Sequence, residues 1–152
     1  MAHSRIVEVE YIEDPGMCAV VKSSKWGLGT GTAFCCEEDQ DVRSEYTGGA
    51  IAEYRADTEI AHKRAIELAA RARGMEHLKN VLMKHINEFD TSKRSDETIS
   101  IMSVLYRQLN VAKRDAKLAH EEYMMMKKND QNFANHLVEK KREFRKNHPT
   151  EN

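Results

Sequence analysis

From Ala50 to Phe89 the chain carries one glycine, Gly74, and no proline; from Ser95 to Phe144 it carries neither. Turns need those residues, so stretches this long without them are restricted to helix or to very long strands. Hydrophobic spacing decides between the two. Steps of three and four land on Ile51, Tyr54, Ala61, Ala65, Leu68, Ala72, Met75, Leu82, Ile86 and Phe89, with Thr58 and Lys79 as the polar exceptions. The second stretch gives Met102, Leu105, Leu109, Ala112, Ala116, Ala119, Tyr123, Met126, Phe133 and Leu137, with Asp130 as the clear exception. Both are sustained helical seams. The spacing predicts a long helix over 47–90, opening near Thr47-Gly48-Gly49, and a second over 95–146. Ser95 supplies an N-cap, and Asp96 and Glu97 favour the positive end of the second helix. Asn147-His148-Pro149 ends it, ahead of a tail over 147–152.

Asp90 to Asp96 is a polar break. An antiparallel pair folded about residue 92 sets Ala72 opposite Ala112, Ala65 opposite Ala119 and Leu68 opposite Ala116. It also sets Met75 against Leu109, Leu82 against Met102 and Ile51 against Phe133. Small residues meet in the middle and large ones toward the ends, which neither helix requires on its own account. The match predicts a close-packed αα-hairpin with arms of roughly 60 Å, at ~1.5 Å per residue. One seam leaves Ile60, Ile66, Leu78, Val81, Ile101, Val104 and Met124 outside it. These predict self-association, as a dimer or a higher oligomer such as a hexamer.

The first 46 residues read as β. Residues 5–12 (RIVEVEYI) and 17–23 (MCAVVKS) are strands rich in β-branched residues, separated by the turn Pro15-Gly16. Ile6, Val9 and Ile12 do not share strict parity. Residues 26–31 (WGLGTG) read as a glycine-spaced turn before a short third strand, Thr32 to Cys36, and Glu37 to Glu45 as a solvated acidic loop. The expected fold is α+β and mostly α: a small N-terminal antiparallel sheet followed by two long antiparallel helices, in a single domain spanning 1–152, oligomeric.

Composition narrows function mainly by exclusion. With a net charge of −1, the whole molecule has no bias toward nucleic acid or membrane. The basic run Lys140-Lys141-Arg142-Arg145-Lys146 is interleaved with Glu139 and Glu143, as on a solvated helix. The N-terminus has no apolar stretch of signal-peptide type, and the odd set Cys18, Cys35 and Cys36 points to a reducing, cytoplasmic compartment. Seven histidines are scattered without HxxxH, and the one ExxH, at Glu59 to His62, lacks the second copy that a di-metal bundle needs. Neither metal nor cofactor is expected, nor a catalytic constellation; Cys35 and Cys36 have no neighbouring histidine in sequence. Gly27 to Gly31 has the spacing of a phosphate nest, but its place between strands favours a hairpin turn. The hairpin tip is more suggestive. Asn87, Phe89, Arg94, Tyr106, Arg107 and Asn110 combine aromatic rings with amide and guanidinium donors, as a nucleotide requires; hairpin-end packing with solvated arginines is the plainer reading.

Gly31-Thr32-Ala33-Phe34-Cys35, then Glu38-Asp39, then Gly49 to Ala56 (GAIAEYRA) opening a long helix form a pattern over about 26 residues. With the small sheet and the two long helices, it resembles the bacteriophage anti-Thoeris sponge family, first type. That resemblance implies a non-enzymatic homo-oligomer in the host cytoplasm. Such proteins sequester cyclic ADP-ribose isomers made by a TIR-domain defence protein, and some also hold cyclic oligonucleotides. It implies Arg55, from the IAxxRA motif, as a phosphate contact in an inter-subunit site, and the tip residues around Phe89 for the adenine and diphosphate. Two other classes stay open: a helical scaffold or assembly protein binding only protein, and a small nucleic-acid-binding regulator.

Overall fold

The computed structural model describes residues 3–14, 16–36, 39, 44–88 and 96–149, with the side chains of 87, 88, 96 and 97 outside that description. Three strands, β1 (Arg5–Ile12), β2 (Met17–Ser24) and β3 (Gly27–Phe34), precede two helices, α1 (Glu45–Glu88) and α2 (Asp96–Asn147). The strands form an antiparallel meander in the order β1-β2-β3. The expected architecture of a small sheet followed by two long helices is therefore present. Among the described residues no helix is long and apolar enough to cross a membrane.

The chain divides into two compact units, one of residues 1–63 with 123–152 and one of residues 64–122. In the first, a core of Cys18, Val20, Ala33, Ile51, Ala52 and Ala134 lies between the sheet and the helices, flanked by Tyr11 and Leu137. Tyr54 stacks on Phe133 with ring centroids 4.3 Å apart and donates its hydroxyl to the carbonyl of Met126. His62 stacks on Tyr123. In the second unit Ala65, Ala72, Leu105, Leu109, Ala112 and Ala119 are buried, and Arg64 pairs with Glu122 at 2.7 Å. In both units the contacts are antiparallel and close to the predicted register. The polar exceptions in the seams find partners: Lys79 pairs with Glu76, the Thr58 hydroxyl donates to the carbonyl of Tyr54, and Asp130 receives Arg55.

Two local differences from the sequence reading have clear causes. The glycine run is strand, not turn. The reversal sits at Lys25-Trp26, where the Ser24 hydroxyl accepts from the Trp26 N–H and donates to the Gly27 carbonyl, with Gly27 at φ +112°. Gly29 and Gly31 continue β3 because the backbone of α1 lies against them. A Cβ on Gly31 would stand 1.9 Å from the carbonyl oxygen of Ala52, and one on Gly29 2.4 Å from that of Ala56. Helix α1 also starts earlier than expected, at Glu45, because Ser44 accepts from the Thr47 N–H and caps it. The parity mismatch in β1 resolves as a bulge between Ile6 and Glu8. Pro15 and the proposed Ser95 cap lie outside the described residues.

Close contact lets α1 seal the free edge of β3. Arg55, Glu59 and Lys63 recur every four residues, a rise of ~6 Å along a helix, against about 6.6 Å for two residues of strand. They meet alternate groups of that edge: Arg55 Nη1 donates to the Thr32 carbonyl at 2.7 Å, Glu59 accepts the Thr30 N–H at 2.6 Å, and Lys63 Nζ donates to the Leu28 carbonyl. One stripe of side chains thus supplies the donor and acceptor pattern of a missing strand.

Candidate functional site

The first unit contains a cavity of about 260 Å³. Its walls come from the end of β3 (Ala33, Phe34), from Cys35, Cys36 and Asp39, and from the first turns of α1 (Thr47, Gly48, Ile51, Arg55). Tyr11 and Cys18 of the sheet and Gln131, Ala134, Asn135 and Val138 of α2 complete it. Gly48 belongs there sterically, since a Cβ on it would stand 3.2 Å from that of Cys18.

Arg55 is held rigidly. Its Nε and Nη2 donate to the two carboxylate oxygens of Asp130 at 3.0 and 3.1 Å, while Nη1 takes the Thr32 carbonyl. One N–H on each terminal nitrogen remains available to an anion without breaking that fork. Asp39 forms a second polar node. Its carboxylate accepts from Arg142 at 2.6 Å and from the Cys36 thiol at 2.9 Å, and its carbonyl accepts from the Cys35 thiol at 3.5 Å. Asp39 is therefore tied to α2 rather than part of a freely solvated acidic loop. Cys18 is 1 % exposed, and burial first, then the Glu45 carboxylate, pushes its thiol up. It stays a protonated, unreactive thiol. Gln131, Asn135 and Tyr11 were not singled out from sequence. The i, i+4 amides 131 and 135, beside the seam exception Asp130, are the signal that could have found the first two.

Deeper in the same unit Lys22, 6 % exposed, is enclosed between the sheet and α1 and donates to Glu53 at 2.8 Å and to Asp57 at 2.9 Å. Burial alone would lower its pKa, but the two carboxylates outweigh it and hold the ammonium above its ordinary value. Among the described residues no group of three or more His, Cys, Asp or Glu side chains could hold a metal ion.

The predicted hairpin-tip residues do not form one cluster among the described residues. Tyr106 lines a groove of about 270 Å³ with Met83, Ile86, Thr98, Ile99 and Met102, and the Lys79 ammonium stands 5.8 Å from its ring centroid. Arg107 lines a different groove, of about 300 Å³, with Arg71, Leu68, Met75 and Asp115. Consecutive helical residues point in different directions, so this separation is expected. Asn110 is exposed on α2. Phe89, Arg94 and the Asn87 side chain lie outside the described residues. Arg55 belongs to the other unit.

No protein-family model, no curated protein and no solved structure matches this chain.

Proposed function

We propose that this chain binds a cyclic nucleotide immune signal, of the cyclic ADP-ribose isomer class, and sequesters it uncleaved as a phage counter-defence protein in the host cytoplasm. One observation carries the reading. The two halves of the pattern that resembles the sponge family, Ala33-Phe34-Cys35 and the Ile51 to Arg55 helix start, converge on one cavity. The donors there suit a diphosphate and a ribose: outer N–H groups of Arg55, amides of Gln131 and Asn135, and hydroxyls of Tyr11, Ser44 and Thr47. The ring of Phe34, 66 % exposed at the rim, offers a stacking face to a base. The most buried of the cavity's thiols, Cys18, is held protonated, which fits capture better than cleavage.

The cavity lies below the ~300–1,000 Å³ common for small-molecule sites. A protomer then holds part of the ligand, and a second copy completes the enclosure. Exposed apolar side chains off the core seam, including Ile101, Val104 and Leu118, give a homo-oligomer surface to bury. Those same side chains favour the second reading, a helical scaffold that binds only protein.

Calorimetric titration with cyclic ADP-ribose isomers tests the site. The double variant Arg55→Ala/Asp130→Ala removes the fork without leaving either charge unpaired. It should weaken binding about tenfold to a hundredfold, as for loss of a charged hydrogen bond of ~1.5–3 kcal/mol. Lys117→Ala, on the exposed surface of α2, should leave it unchanged. Equal binding by the double variant and the wild type would move the ligand away from this cavity.

A further inference from the structure

The two edges of the sheet are treated unequally. That of β3 is occupied by the Arg55, Glu59 and Lys63 stripe. That of β1 is open: every residue from Arg5 to Glu10 is exposed, and among the described residues nothing hydrogen-bonds to its outer side. An eight-residue strand with an unpaired edge is a template for another strand.

The sequence of β1 is complementary to itself. Directly opposed residues in an antiparallel pair share a face. Ile6 is opposite Lys22 and Val9 opposite Val20, so both point toward the α1 side, where they are 48 % and 51 % exposed. Arg5 is opposite Ser23 and Glu10 opposite Ala19, so both point to the other face. Residues an odd number of places apart share a face here only because of the bulge between Ile6 and Glu8. Place a second β1 antiparallel with a two-fold axis between residues 7 and 8. Each Arg5 then faces a Glu10, and each Ile6 faces a Val9, on matching faces. The axis runs through the two bulges, so both strands supply the same number of residues between the flanking pairs. Bulge and charges, which on a lone edge discourage promiscuous pairing, become specific for this one partner.

We infer that β1 is a self-pairing edge, joining two copies of this chain into a continuous six-stranded antiparallel sheet by Arg5–Glu10 and Ile6–Val9 cross-strand pairs. The contact is isologous, as two-fold symmetry requires. It does not depend on the ligand reading, since it uses neither the cavity nor its residues.

Sedimentation equilibrium of the full chain tests it through a charge swap. Arg5→Glu or Glu10→Arg alone sets like charges opposite each other twice per dimer and should weaken dimerisation about thirtyfold. The double swap Arg5→Glu/Glu10→Arg should restore it. A second readout needs no variant: amide hydrogens of residues 6–10 should exchange more slowly in the wild type as concentration rises through the dimer range. Single reversals without effect, a double swap that does not restore pairing in a chain of unchanged circular dichroism, or β1 amides indifferent to concentration would each overturn the inference.

Discussion

Replacing Gly31 by alanine should disrupt the packing of α1 on the sheet, although it adds only a methyl group. The new Cβ would lie 1.9 Å from the Ala52 carbonyl oxygen and 2.5 Å from the Ala56 nitrogen. Both are backbone atoms of a helix, so no side chain can rotate out of the way. Relief to ordinary contact requires α1 to retreat by more than about 1 Å, which overpacked cores resist at a cost of ~1–3 kcal/mol. Retreat also strains the edge bonds from Arg55, Glu59 and Lys63, each worth about 1 kcal/mol. The expected loss is about 3–4 kcal/mol, a fall in Tm of roughly 10 °C for a chain of this size. Gly74→Ala is the matched control: nothing lies within 4 Å of its added Cβ, and alanine is the better helix former by ~0.5–1 kcal/mol. Thermal melting by circular dichroism, with hydrogen exchange to locate the effect in strands β2 and β3, decides the matter. A Gly31→Ala protein as stable as wild type, or a Gly74→Ala protein destabilised as much, would refute the close-approach argument.

Further outcomes follow from the charged contacts. Lys22→Met should cost about 2–3 kcal/mol in urea unfolding, because Glu53 and Asp57 then face each other without their shared cation; both keep some solvent, so the full penalty of a buried orphan charge does not apply. For Glu59, burial favours the neutral form, but the Thr30 N–H, Lys63 and the Thr30 hydroxyl outweigh it and hold the carboxyl below its ordinary value of 4.5. A depressed carboxylate stabilises the fold above its unfolded pKa, and that contribution is lost as pH falls through the folded one. Unfolding measured from pH 6 downward should therefore show a smaller acid loss in Glu59→Gln than in wild type. A thiol reagent at neutral pH should label Cys36 before Cys18, and Cys18 only on unfolding, as its burial and raised pKa require.

Much of this fold is legible in the chain because helical seams repeat. The alanines that oppose each other across the two helices, 65 with 119 and 72 with 112, are buried as the register requires. Asp130 and Lys79, the seam's exceptions, mark where ion pairs form. The glycine run was not legible in the same way. Gly29 and Gly31 look like turn residues in isolation, and the reason for them, the α1 backbone at Ala52 and Ala56, lies far along the chain. The site divides similarly. Arg55 and the 31–35 segment stand out through the resemblance to the sponge family, whereas Gln131 and Asn135, spaced i, i+4 beside Asp130, join the cavity only once α2 is packed against the first unit's sheet. Tyr106 and Arg107 are neighbours in sequence yet line separate grooves, because a helix turns between one residue and the next.

The most direct test of capture without cleavage is to saturate the purified protein with each cyclic ADP-ribose isomer, record its melting, and recover the small molecule after heat denaturation. At a free ligand concentration a hundredfold above Kd the fold should gain about 2.7 kcal/mol, and chromatography should return the ligand unchanged. No stabilisation by any isomer of a folded protein, or recovery of a ring-opened product, would contradict the proposed function.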